Sequence, residues 1–146
     1  MKRGLTPGRR QELLEAVRLV YADLGRQPIA RNCTGLADCC RFRLTGRTPF
    51  LTRGEAMVAA EAVRRTGRSK LPPAPDGACP LLNSDGKCSI YDARPFGCRT
   101  HFCKAAGGPY SRAEVRDLIH RLEDIDSALG GSGGVNLPVA IADAMK

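Results

Sequence analysis

Apolar residues recur with helical spacing in three stretches of the chain. Thr6-Pro7 supplies an N-cap followed by a residue preset for the first helical turn. Leu13, Leu14, Val17, Val20, Tyr21 and Leu24 then fall on one face until Gly25. Thr52-Arg53-Gly54-Glu55 has the form of a capping box, in which the hydroxyl and the carboxylate each satisfy a free backbone N–H, and it predicts a second helix running to Thr66, ahead of Gly67. Ser111-Arg112-Ala113-Glu114 repeats that form. Val115, Leu118, Ile119, Leu122, Ile125 and Leu129 make the apolar stripe of a third helix, which Gly130 ends.

Between and after these helices the pattern changes. "GRSKLPPAPDGACP", residues 67–80, is broken by prolines and glycines and reads as a linker or crossing loop. "LLNSDGKCSIY", residues 81–91, places Asp85-Gly86 between two short apolar runs and predicts a small hairpin. Asp92 is placed to cap a short helical turn that tolerates Pro95 early. "GGSGG", residues 130–134, reads as a flexible hinge, and "NLPVAIADAMK" as a short terminal helix that packs weakly or swaps onto a partner. The expected fold class is therefore mainly α: a small helical domain over residues 1–129 with a cysteine-rich, loop-dominated centre and one short hairpin, followed by a hinge and tail over 130–146.

At 146 residues and 42% hydrophobic content, the chain has the size of one domain with one core. Aromatics are few, with four Phe, three Tyr and no Trp, so Leu, Val, Ile and Ala must build that core. No segment approaches the roughly 18 apolar residues of a membrane span, and the basic N-terminus has no apolar run behind it. The expectation is a cytoplasmic protein with no membrane partner. The formal charge of +8 is uneven. Residues 1–70 hold 15 Lys+Arg against 6 Asp+Glu, and residues 71–146 hold 8 against 9. A basic half admits nucleic acid as a partner, but a solvated basic surface is the favoured reading, and any protein partner is unspecified.

The cysteines alter the picture most. All seven lie in two clusters: Cys33, Cys39 and Cys40 in "CTGLADCC", and Cys79, Cys88, Cys98 and Cys103 in "CPLLNSDGKCSIYDARPFGCRTHFC". In a reducing compartment, clustered thiols read as metal ligands or redox groups more readily than as disulfides, and an odd count fits a disulfide framework poorly. The gaps in the second cluster are 8, 9 and 4 residues and no CxxC occurs, which departs from the close ligand pairs of zinc fingers. Iron–sulfur clusters take thiolates from irregular spacings in loops, so an iron–sulfur cluster is the expected cofactor and Zn²⁺ the alternative. His101 is a further candidate ligand; Arg94 and Arg99 are candidates to hydrogen-bond cluster sulfurs or to pair with Asp92. No catalytic constellation is identified.

These motifs resemble the YkgJ-type cysteine cluster family, whose members are described as zinc- or iron-chelating and often named iron–sulfur-cluster containing proteins. The likeness lies in "CPLL", "GKCSIYDARPFGCR" and the upstream "CC", over roughly residues 33–103. It implies metal binding through Cys33, Cys39, Cys40, Cys79, Cys88, Cys98 and Cys103. Family members typically begin C-x-x-C-x-x-C-C, whereas this chain has only Cys33 before the pair. The expected function is a metal-binding cysteine cluster protein with a structural, redox or sensory centre. The alternatives are a component of metal-dependent protein-lysine methylation, since a related pattern occurs in flagellin lysine methylases, and a metal-stabilised nucleic-acid adaptor.

Overall fold

A computed structural model describes residues 6–25, 50–71, 81, 89–90, 93–96 and 112–146. Among the described residues there are four helices and one pair of two-residue strands: α1 (Pro7–Gly25), β1 (Phe50–Leu51), α2 (Arg53–Arg65), α3 (Arg112–Ala128), β2 (Val135–Asn136) and α4 (Leu137–Ala144). The expected mainly helical class is what the structure shows.

The local signals act as the sequence predicts at most helix ends. Thr6 Oγ1 accepts the backbone N–H of Arg9 at 3.1 Å and caps α1. At the end of α2, Thr66 Oγ1 donates to the carbonyl of Val63 at 2.6 Å, and Gly67 takes φ 92° to turn the chain. Gly130, at φ 80°, does the same after α3. The Asn136 side chain accepts the N–H of Val139 at 3.2 Å, and the proline that follows lies in the first turn of α4.

Two apolar clusters share α2 between them. On one side Leu14, Val17, Val20 and Tyr21 of α1 pack with Val58 of α2 and with Val115, Leu118, Leu122 and Ile125 of α3. On the other, Leu51, Ala56, Ala59 and Val63 pack with Leu137, Ala140 and Ile141. The buried face of α2 includes Gly54, Ala56, Ala59 and Ala60, so its neighbours come close to its backbone. A Cβ added at Gly54 would lie 2.8 Å from Val17 Cγ2 and 3.0 Å from Ile125 Cγ2, which shows how tightly α1 and α3 close there. Polar ties cross the same interfaces: Arg18 of α1 reaches Glu61 of α2 at 2.7 Å, and Arg121 of α3 reaches Asp23 of α1 at 2.6 Å.

Three sequence expectations need correction. The hydroxyl half of the capping box at α2 does not form, and the acceptor at the helix start is Asp126 of α3, whose Oδ1 takes the N–H of Arg53 at 2.7 Å. The glycine-rich stretch is hydrogen-bonded, since Gly133 N–H donates to Asp126 Oδ2 at 3.0 Å and Gly131 N–H to the Asp126 carbonyl at 2.8 Å. The terminal helix forms as expected but is firmly packed, with Leu137 and Ile141 fully buried. β2 leads into it by pairing antiparallel with β1, Phe50 opposite Asn136 and Leu51 opposite Val135. The hairpin expected at 81–91 and the capping box at Ser111 lie largely outside the described residues.

Candidate metal centre

All seven candidate cysteine ligands lie outside the described residues, as do His101 and Arg99; the described chain approaches them from the flanks. Leu81 is 1% exposed and Ile90 5%, both in the cluster beneath α4. Phe96, 6% exposed, belongs to the cluster between α1 and α3. Ala93 packs against both clusters, so this short stretch bridges them. Ser89 N–H donates to the Leu81 carbonyl at 2.8 Å, and Ala93 N–H to the Ile90 carbonyl at 2.8 Å. Pro95 is fully buried and Arg94 half-buried.

The anchors stand in a regular relation to the thiols. Leu81 follows Cys79 by two residues, Ile90 follows Cys88 by two, and Phe96 precedes Cys98 by two. Leu81 of "CPLL", Ile90 of "CSIY" and Phe96 of "RPFGC" are therefore core residues, each two positions along the chain from a cysteine. Sequence reasoning missed the anchors because an isolated Leu, Ile or Phe in a loop has no periodicity to mark it.

Among the described residues no group of three or more His, Cys, Asp or Glu could hold a metal ion. His120 is exposed on α3. No helix among the described residues is long and apolar enough to cross a membrane.

Residues 32–118 match the family described as "CxxCxxCC: Putative zinc- or iron-chelating domain". The match spans more than half of the chain. The chain belongs to this family. No curated protein and no solved structure matches it. Membership of the zinc- or iron-chelating family makes metal chelation the supported function. Set against the pattern in the family's description, "CTGLADCC" keeps the spacing and changes one ligand: Leu36 stands where the second cysteine would be, with Cys33, Cys39 and Cys40 in the other three places.

Proposed function

We propose that the chain binds an iron–sulfur cluster through Cys79, Cys88, Cys98 and Cys103, in a redox, sensory or structural role, with Zn²⁺ as the alternative occupant. Cys33, Cys39 and Cys40 form a second, incomplete ligand group. The observation that supports this reading best is the burial of Leu81, Ile90 and Phe96 in the helical core, each two residues along the chain from a cysteine. Fixing a ligand's backbone costs about 1–2 kcal/mol per residue in lost conformational freedom. Burial of Leu81, Ile90 and Phe96, worth roughly 1.5–3 kcal/mol each, offsets much of that cost before any metal arrives. The donor set fits the group: thiolates are soft ligands that suit iron–sulfur clusters and zinc, and irregular loop spacing favours the former.

The residues do specific work in this reading. The thiolates supply the bonds and the negative charge. Arg94, half-buried beside Pro95, would offset part of that charge. Neither the methylation reading nor the nucleic-acid reading gains a supporting observation from the fold or the family.

Protein produced in iron-replete cells and purified without oxygen is expected to be brown and to contain iron and inorganic sulfide. Colourless protein with stoichiometric zinc would reject the iron assignment, and protein without either metal would reject the centre itself. Cys88→Ser should lose metal from the quartet, whereas Cys39→Ser should lower metal content only partly.

A further inference from the structure

The end of α2 gathers positive charge. Arg64 and Arg65 close the helix, Thr66 and Gly67 turn the chain, and Arg68 and Lys70 follow. Every residue from Arg64 to Lys70 is exposed, and the side chain of Arg65 is 74% so. Between Glu61 and Asp76 the sequence holds these four cations, no acid and no aromatic residue. Part of the basic excess of residues 1–70 is therefore collected at one end of one helix.

The stability of the fold accounts for only part of this cluster. Arg64 and Arg65 lie in the last turn of α2, where a cation complements the helix dipole. Arg64 also donates to the carbonyl of Ala144, in α4, at 3.2 Å, which ties that end of α2 to α4. Glu61 gives its carboxylate to Arg18 at 2.7 Å and stands farther from Arg65, at 3.8 Å. Arg68 and Lys70 lie past the helix and have no ion-pair partner among the described residues. Like charges held this close repel one another and oppose folding, so the second pair of cations adds charge without adding stability.

We propose that this cluster is a docking surface for an acidic face of a partner protein, engaged through Asp and Glu side chains. Its margins favour such a face over nucleic acid. Glu61 lies at one edge, and Asp143 of α4 is the neighbour of the Ala144 that Arg64 touches. A nucleic-acid strand carries a charge at every nucleotide and would be pressed against those acids. A protein face can set carboxylates against the arginines and a neutral or basic residue against the acids. The segment also offers no aromatic ring on which a base could stack. Arginine forks pair with carboxylates in two parallel hydrogen bonds, which gives orientation as well as attraction. Exposed pairs are individually weak and act largely on the encounter rate, so the docking is transient and salt-sensitive. The surface is independent of which metal the cysteines hold.

The test uses the full chain and a defined probe, acetyl-octaglutamate-amide, titrated by calorimetry and by backbone amide NMR. The probe should bind at low ionic strength, shift the amide signals of residues 64–70, and bind more weakly as NaCl rises from about 50 to 300 mM. Acetyl-octalysine-amide should leave those signals unmoved. The double variant Arg68→Glu with Lys70→Glu should weaken probe binding about five- to thirtyfold. Arg10→Glu with Arg116→Glu changes the net charge equally at exposed positions on α1 and α3 and should weaken it less than about twofold. Circular dichroism checks that both variants keep their helix. Equal loss in the two double variants would show attraction to net charge alone and overturn the proposal, as would amide shifts confined to residues outside 64–70. A 16-base-pair DNA duplex that binds more tightly than the peptide at matched salt, with shifts in the same amides, would replace the acidic protein with nucleic acid.

Discussion

The carboxylate of Asp126 accepts the backbone N–H of Arg53 at 2.7 Å, so a side chain near the end of α3 caps the start of α2 across more than seventy residues of sequence. Its second oxygen holds Gly133, and the side chain is 4% exposed. One acid thus fixes the entry of α2 and the path of the glycine-rich stretch. Asp126→Ala should cost about 2–3 kcal/mol, because it leaves two backbone donors without their charged acceptor. Thermal unfolding monitored by circular dichroism measures this, and a change in midpoint no larger than that of a surface control would contradict the assignment.

Gly131 lies against the same carboxylate. A Cβ there would sit on Asp126 Oδ1, so Gly131→Ala must displace the acid or the loop. A loss of about 1–3 kcal/mol is expected. In the double variant with Asp126→Ala the two losses should not add, since both act through one contact. Denaturant titration of the four proteins in the cycle decides the matter.

Gly54 and Gly8 make a matched contrast. Both are helical, but a Cβ at Gly54 would meet Val17 and Ile125, whereas at Gly8 there is nothing within 4 Å. Gly54→Ala should destabilise by about 1–3 kcal/mol through overpacking. Gly8→Ala should be neutral or stabilise by up to about 1 kcal/mol through helix propensity. Opposite signs in the two melting temperatures are the expected result.

Phe96→Ala should cost about 3–5 kcal/mol as a large core residue, and it should also lower metal retention, because Cys98 then loses its tether. Leu118→Ala, of similar depth in the same cluster but remote in sequence from any cysteine, should cost about 2–5 kcal/mol and leave metal stoichiometry nearer to normal. Metal-to-protein ratios after challenge with a chelator separate the two. Equal metal loss at equal stability would show that Phe96 acts only through the fold.

Leu36→Cys restores the family's four-cysteine pattern in the first segment. The variant should bind more metal, or bind it more tightly, than the parent chain, as competition with a chromophoric chelator would show. No change would mean that Cys33, Cys39 and Cys40 are not arranged around a common metal.

The sequence made some of this architecture plain and hid the rest for identifiable reasons. α1 and α3 carry large aliphatic side chains at helical spacing, and their stripes became the buried faces of the first cluster. The central place of α2 was hidden, because the small residues Gly54, Ala56, Ala59 and Ala60 on its buried face give no sign in the sequence of how closely neighbours pack against it. Asp126 looked like any polar residue beside a stripe, and its role depends on α2 being close by. The β1–β2 pair joins two-residue strands far apart in the chain, below the length at which alternation can be seen. The candidate cysteine donors stand out by their chemistry alone. Their anchors, by contrast, could be found only by seeing which loop residues the core had claimed.

The late position of α4 has a further consequence for how the molecule is made. Leu81 and Ile90 are enclosed by Leu137, Ala140 and Ile141, all of which follow the cysteine segments along the chain. During translation, at roughly 5–20 residues per second, several seconds pass between the emergence of Phe96 and that of Ile141. For that interval the second cluster cannot close around Leu81 and Ile90. The chain thereby separates two events in time: Leu81 and Ile90 emerge first, and the helix that encloses them arrives afterwards.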